Sequence, residues 1–407
     1  MRSVLVGLLV LGHGTAFGGQ ASRTDSAAAH LKAARELAAR TIIVDTHIDF
    51  PLRMLRKWVD VSGQLSTGQF DYVRSRRGGL DVAFMSIYVP SEMEKSGGAK
   101  QRADTLIKIV RKIASTWPDK FAIVTSPSQV MSMAGSGRVL LAMGMENGAP
   151  LEGDIGNVRT FHAKGIRYIT LAHAKSNRLA DASFDQNRPW NGLSPFGRRV
   201  VEEMNSVGIM VDISHLSDSA ALQAIRLSRA PVIASHSSCR HFTPGYERNM
   251  SDDMIRELAS RGGVIQINFG STFVSDVARR EADRRERELE HVIRNSHAPP
   301  KSREAAALER EYRRTHPAAY ANVADVAAHI DHVVRLVGPD HVGLGSDFDG
   351  VGDTLPIGLK DVSAYPNLLA ELLALGYDEG TLRKICGMNL LRVWAAVERV
   401  ARTGGTQ

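Results

Sequence analysis

His47 and Asp49 form an H-x-D pair at the end of a short apolar run, TIIVDTHID (41–49). Other runs end on Glu146 (RVLLAMGMEN, 138–147), His173 (IRYITLAHA, 166–174), His215 (GIMVDISH, 208–215) and His236 (APVIASH, 230–236). Asp347 and Asp349 follow in GSDFDG. Imidazoles and carboxylates without a thiolate suit Zn²⁺ first, with Mn²⁺ or Co²⁺ able to substitute. Each residue alone has a bland explanation: a hydrogen-bonded pair, a capping carboxylate, satisfied core histidines, turn-forming aspartates. None of those roles requires all of them to fall at the same end of different runs. The donor count fits two ions, one held by His47, Asp49 and an oxygen of Glu146, the other by His215, His236 and the second oxygen of Glu146. Two cations sharing a carboxylate would bring a bridging water to hydroxide near neutrality and polarise a carbonyl. That is the chemistry of amide or ester hydrolysis.

Such residues work together only if the runs are parallel strands ending on one rim. With LDVAFMSIYV (80–89), GVIQINF (263–269) and HVGLGSD (341–347) there are eight runs. They are nearly continuously apolar, as parallel strands covered on both faces must be. Helical patterns lie between most of them, at Ala103–Thr116, Pro195–Ser206, Ser219–Ser228, Asp252–Ser260 and Val323–Val337. Further helices are read at Ala27–Ala39, Pro366–Leu375 and Glu379–Val397. The expected fold is an α/β (β/α)8 TIM barrel, with its site where the C-terminal strand ends meet. A doubly wound sheet is the alternative, but no GxGxxG follows the first strand.

Residues 276–317 depart from the pattern. They carry dense mixed charge, with Pro299-Pro300 in the middle, and read as two exposed helices inserted between the seventh and eighth strands. Glu281–Arg285, Asp283–Arg287, Glu290–Arg294 and Glu309–Arg313 have the acid-before-base spacing that supports a helix. A surface insertion is the plain reading; a lid or subunit contact is the sharper one.

At 407 residues and 43% hydrophobic content the chain has ample core, and its net charge of +7 is spread without a Lys/Arg run, so nucleic acid is not an expected partner. Cys239 and Cys386 are too few for a disulfide scaffold. The run Val4–Leu11 behind Met1-Arg2 is too short to span a bilayer; small residues follow it, so residues 1–21 read as a signal peptide. The expectation is an exported (periplasmic or secreted) protein without a stable membrane anchor, residues 22–407 making one barrel domain.

HID (47–49), GMENG (144–148), LAHAKSN (171–177), DISHLSD (212–218), ASHSSCR (234–240), ERNMSDD (247–253) and GLGSDFDG (343–350) together resemble the membrane (renal) dipeptidase family of zinc peptidases. They keep the family's order and span roughly Thr41 to Val397. The resemblance implies a binuclear zinc dipeptidase cleaving L-Xaa-L-Yaa and L-Xaa-D-Yaa dipeptides, with the amide of a β-lactam ring as a further target. It implies that two Zn²⁺ ions are bridged by Glu146 and a water or hydroxide. By the same resemblance, His173 contacts the substrate and its developing oxyanion, Arg248 binds substrate and transition state, and Asp347 binds the amine and shuttles the proton. A homodimer is implied too. The alternatives are a barrel amidohydrolase acting on N-acyl amino acids, lactones or cyclic amides, and a non-catalytic binding protein that keeps the metal site. For Arg248, a surface ion pair with Glu247 or Asp252 is the competing reading, with Arg240 and His241 as rivals for its role.

Overall fold

The computed structural model describes residues 18–404, with side chains from residue 26 onward. The signal-peptide reading therefore lies outside the described residues except for its last four, which open the helix Gly18–Ala38. None of the described helices is long and apolar enough to cross a membrane.

Among the described residues nine strands form one parallel sheet: β1 (Ile43–Ile48), β2 (Leu80–Tyr88), β3 (Phe121–Ile123), β4 (Val139–Glu146), β5 (Ile166–Thr170), β6 (Met210–Asp212), β7 (Ile233–Ser237), β8 (Val264–Ile267) and β9 (Val342–Leu344). Because β2 pairs with β4 and β1 with β9, eight of them close a ring and the chain is a (β/α)8 barrel. Those eight are the eight apolar runs. The three-residue β3 is the addition: it pairs with Val139–Leu141 on the edge of β4 that β5 takes over from Met143 onward. Its FAI is too short to show a period of any kind.

Strand side chains alternate between two apolar layers. Val44, Val82, Phe84, Leu140, Ala142, Tyr168, Met210, Ile233 and Val264 pack together with Trp394 of the last helix (Asn389–Arg402). Ile43, Ala83, Met85, Leu141, Met143, Ile169, Val211, Ala234 and Ile265 belong to the separate cluster shared with the surrounding helices. The inner layer fills one end of the barrel, and the polar strand ends are left to form the other.

The helices Asp252–Ser260 and Val323–Val337 have the expected bounds. The second opens on a reciprocal cap between Asn322 and Asp325. The last expected helix, Glu379–Val397, is interrupted by a π-helical turn at Lys384–Met388. The charged segment forms helices Asp276–Asn295 and Arg303–Thr315, broken at the prolines and joined by Tyr312 donating to Glu288 Oε2 at 2.7 Å. Of the four anticipated ion pairs only Glu309–Arg313 is made. The other pairs in the segment join Asp276 with Arg279 and Arg280, Asp283 with Arg279, Arg284 with both Glu281 and Glu288, Arg313 with Glu286, and Arg314 with Glu311. On a helix each charge has neighbours at i±3 and i±4, so spacing alone leaves the choice of partner open.

Asp81, at the start of β2, accepts from the Ile43 amide at 3.1 Å. Burial pushes its pKa up to about 6, although the Ile43 amide and Arg76 oppose it. The folded state thus holds the proton more tightly than the unfolded one, and stability falls as pH rises from the ordinary 3.8 through about 6. Asp81→Asn keeps an acceptor for Ile43 and removes the titration. Relative to the wild type it is expected to gain about 1–2 kcal/mol between pH 4 and pH 7. Urea unfolding at the two pH values checks this; an unchanged difference would contradict it.

Candidate metal centre and active site

Glu146 is the last residue of β4, and its carboxylate lies among four imidazoles. Its Oε2 is 3.4 Å from His47 Nε2 and accepts from Ser86 Oγ at 3.1 Å. Its Oε1 is 3.3 Å from His215 Nε2 and 3.4 Å from both His173 Nε2 and His236 Nε2. Asp49 Oδ2 stands 3.4 Å from His47 Nε2, and Asp347 comes within reach of the same pair. Residues up to 300 positions apart therefore converge on one rim, as the strand-end placement predicts. Arg248 is buried beside them, 3% exposed.

The backbone is bent to achieve this. His215 and Asp347 both adopt left-handed φ, 68° and 64°, a region that costs a non-glycine residue energy and is kept where the surroundings impose it. On β1 the pairing register shifts between Asp45 and Ile48. There the neighbours Thr46 and His47 both find partners across the barrel: Thr46 Oγ1 donates to Ser235 O at 2.5 Å, and His47 Nδ1 meets Tyr168 Oη at 2.9 Å. Two glycines make room. A Cβ on Gly350 would lie 2.1 Å from Asp347 Oδ1 and 2.3 Å from Asp49 Oδ2. One on Gly144 would lie 1.9 Å from the Tyr168 ring, blocking its approach to His47.

Proton bookkeeping orients the two best-buried imidazoles of the cluster, His47 and His236. The Tyr168 hydroxyl spends its one hydrogen on Thr46 O at 3.0 Å, so it must accept from His47 Nδ1–H. Likewise Ser235 Oγ donates to Asp212 Oδ2 at 2.6 Å and accepts from His236 Nδ1–H at 2.7 Å. In both rings Nε2 is left to face the carboxylates. That is how a second layer fixes a metal-ligating histidine.

His47 Nε2 is buried and lacks a hydrogen-bond partner among the described residues, and His215 Nε2 and His236 Nε2 sit 2.8 Å apart. Lone pairs crowded onto a buried carboxylate are what a cation would satisfy, so the residues present fit a metal. The electrostatics agree. Burial works to neutralise Glu146, but the charges of His47 and His173 hold its pKa well below the usual range. Burial also works against charge on His47, yet Tyr168, Glu146 and Asp49 keep its pKa well above normal. A metal would displace that proton. Burial holds His215 and His236 well below the ordinary histidine value, which keeps them neutral.

Tyr168→Phe removes the acceptor for His47 Nδ1–H without changing the ring. It is expected to weaken metal binding roughly 10- to 100-fold, as loss of an outer partner does. Competition with a chromophoric chelator measures it.

The cavity above the cluster is about 500 Å³ and is lined by Asp49, Glu146, His173, His215, Asp347 and the aromatics Tyr88, Phe184 and Phe273. Asp347 Oδ2 accepts from Asn268 Nδ2 at 2.8 Å. Burial raises its pKa to about 7; His47 opposes this, while Asp49 and Glu146 add to it. Among the described residues Arg248 makes no surface ion pair. Its Nη1 donates to Ser237 Oγ and its Nη2 to His236 O, both at 2.8 Å, and its guanidinium lies 5.3 Å from the Phe273 ring centre. Its Nε is buried without a partner. Glu247 pairs instead with Arg188, and Asp252 with His332. Arg240 is tied to Asp218 and His241 stacks on His332, which removes both rivals.

Tyr88, Tyr168, Ser86, Phe184, Phe273 and Asn268 escape the sequence reading. Tyr88 carries a usable signal, since it ends the second strand and sits in register with Glu146. Tyr168 and Ser86 lie inside apolar runs, where a core role is the default. Phe273 and Phe184 come from connections without a readable pattern.

The profile of the membrane dipeptidase family (peptidase family M19) matches residues 31–407. Dipeptidase verJ of Clonostachys rogersoniana is 31% identical over 391 residues, 91% of this chain and 88% of that protein. Dipeptidase tcpJ of Claviceps purpurea is 34% identical over 341 residues, 82% and 70% of the two chains. Among solved structures, the probable dipeptidase PvdM from Pseudomonas aeruginosa superimposes with a TM-score of 0.78 at 28% identity, covering 91% of this chain and 99% of the other. A metallo peptidase from Rhodobacter sphaeroides, liganded with a phosphinate mimic of the dipeptide L-Ala-D-Ala, gives 0.71 at 26% identity, with 88% and 99% covered. With a donor cluster on the rim of a (β/α)8 barrel and these relatives, the chain belongs to the membrane dipeptidase family and is a metallodipeptidase.

Proposed function

We propose that this metallodipeptidase works with two Zn²⁺ ions and hydrolyses L-Xaa-L-Yaa and L-Xaa-D-Yaa dipeptides by reading both ends of the zwitterion. The observation that carries this is the split environment of Glu146, with Oε2 turned to His47 and Oε1 to His173, His215 and His236. His47, Asp49 and Glu146 would hold one ion, and Glu146, His215 and His236 the other. Bound there, the ions supply Lewis acidity toward the scissile carbonyl and lower the pKa of water.

The chain's own residues do the rest. Asp347, its Oδ2 fixed by Asn268, pairs with the substrate ammonium. Its Oδ1 takes the proton released by the attacking water and returns it to the leaving nitrogen. Arg248 is braced by Ser237, His236 and Phe273, and its unused N–H groups, Nε–H among them, are left for a substrate oxygen. His173 lies as close to Glu146 as the proposed ligands do. Its side chain is 19% exposed, against 0–8% for the other three histidines, and it lines the cavity. It is assigned to the substrate oxygen that gains charge. Export through the N-terminal apolar run and a homodimeric state belong to the same proposal.

The test is amino-acid release from L-Ala-L-Ala, L-Ala-D-Ala, N-acetyl-L-Ala-L-Ala and a tripeptide, with a chelator control. Cleavage of the free dipeptides alone, lost on chelation and restored by Zn²⁺, is expected. Cleavage of only the acetylated compound would overturn two-ended recognition and favour an amidohydrolase.

A further inference from the structure

On the flank of the barrel, His241, Asp252 and His332 each bring one donor atom within 4.8 Å of the others. They come from three elements: the 3₁₀ turn Arg240–Phe242, the first residue of helix Asp252–Ser260, and helix Val323–Val337. His332 Nε2 lies 2.8 Å from Asp252 Oδ1. The His241 ring stacks on that of His332, centroids 4.4 Å apart and planes 20° from parallel. Among the described residues no protein group hydrogen-bonds a ring nitrogen of His241; its contacts are the rings of Phe242 and His332.

We infer that these three residues form a further metal site, separate from the rim, for a divalent transition cation of the Zn²⁺ class. Two imidazoles and a carboxylate are a standard zinc donor set, with water completing the shell. Zinc bonds of ~2.1 Å place tetrahedral ligands ~3.4 Å apart, so His332 and Asp252, at 2.8 Å, must part slightly while His241, within 4.8 Å of both, closes by at most ~1.4 Å. The exposed side chain of His241, unbonded to the protein, can supply that movement. The cation takes the place of the proton between His332 and Asp252. The neighbouring His329 is not a competitor for it. Its Nδ1 accepts from Cys239 N at 3.0 Å and its Nε2 donates to Val274 O at 3.1 Å, which occupies both nitrogens.

The position has a consequence for the rim. Arg240 N donates to Met250 O at 2.8 Å and Met250 N to Ser238 O at 2.9 Å, so residues 239–250 form a loop closed at its base. That loop carries Arg248. His241 and Asp252 lie near its two ends, and a cation joining them to His332 would pin the loop to helix Val323–Val337.

Equilibrium dialysis against micromolar Zn²⁺, with elemental analysis, tests the site in the wild type, His241→Ala and His332→Ala. The wild type is expected to hold one zinc more than either variant. Reading a difference makes the result independent of how many ions the active site takes. Thermal melts confirm that the variants fold, and His241→Ala alters only an exposed side chain. In the wild type, zinc beyond active-site saturation is expected to slow amide exchange across residues 240–250, and in His241→Ala it is not. Equal zinc content in all three proteins would overturn the inference.

Discussion

Glu146→Gln is expected to abolish tight binding of both ions and to lower kcat/KM by at least ~10³-fold, equivalent to ~4 kcal/mol of transition-state stabilisation. The substitution changes one oxygen to an amide nitrogen and alters almost no volume, so the barrel should fold. What it removes is the charge that makes the cluster possible. The carboxylate is 3% exposed and faces four imidazoles, and its pKa is held far below normal despite the burial. An amide nitrogen has no lone pair to give a cation, so one of the two proposed half-sites loses its shared donor outright. The other loses the charge that draws a dication out of water. Metal content by elemental analysis and turnover of L-Ala-D-Ala read the two effects separately. Retention of two ions with normal turnover would show that Glu146 is not the bridge.

Asp347→Asn is expected to lower kcat by about 10²–10⁴-fold, the range of a lost general acid–base, while leaving the metal content intact. Asparagine keeps the shape and an oxygen for Asn268 to donate to, but it cannot carry a proton between water and a leaving nitrogen. The wild-type pH profile should show the sign. The base form of Asp347 is the active one, so kcat rises as pH climbs through its pKa. Burial has raised that pKa from the ordinary 3.8 toward about 7, which places the limb between those values. In Asp347→Asn that limb should vanish together with most of the rate. A fall in bound metal equal to the fall in rate would instead make Asp347 a ligand.

The barrel could be read from the chain because parallel strands covered on both faces leave a signature that needs no partner to interpret. Eight continuous apolar runs appear as eight ring strands. The cluster of candidate donors was equally legible, since imidazoles and carboxylates at strand ends are out of place in a core. For H-x-D the alternation rule expects both side chains on one face; His47 and Asp49 do meet, but across a register shift and with Asp49 one residue past β1.

The sequence by itself determined the fold class and which imidazoles and carboxylates gather on one rim. Tertiary structure alone decided how those donors are held. The register shift in β1 that lets adjacent Thr46 and His47 both reach across the barrel depends on how β1 meets β2. Tyr168 becomes the partner of His47 only because Gly144 on the neighbouring strand leaves space for its ring. Arg248 becomes a buried, braced guanidinium because its loop folds back onto β7, whereas charge patterning allowed it an ion pair with Glu247 or Asp252. The physical reason is common to all three. Periodicity and residue type are local properties of a chain, but tautomer, orientation and ligand–ligand distance are set by atoms that arrive from other strands.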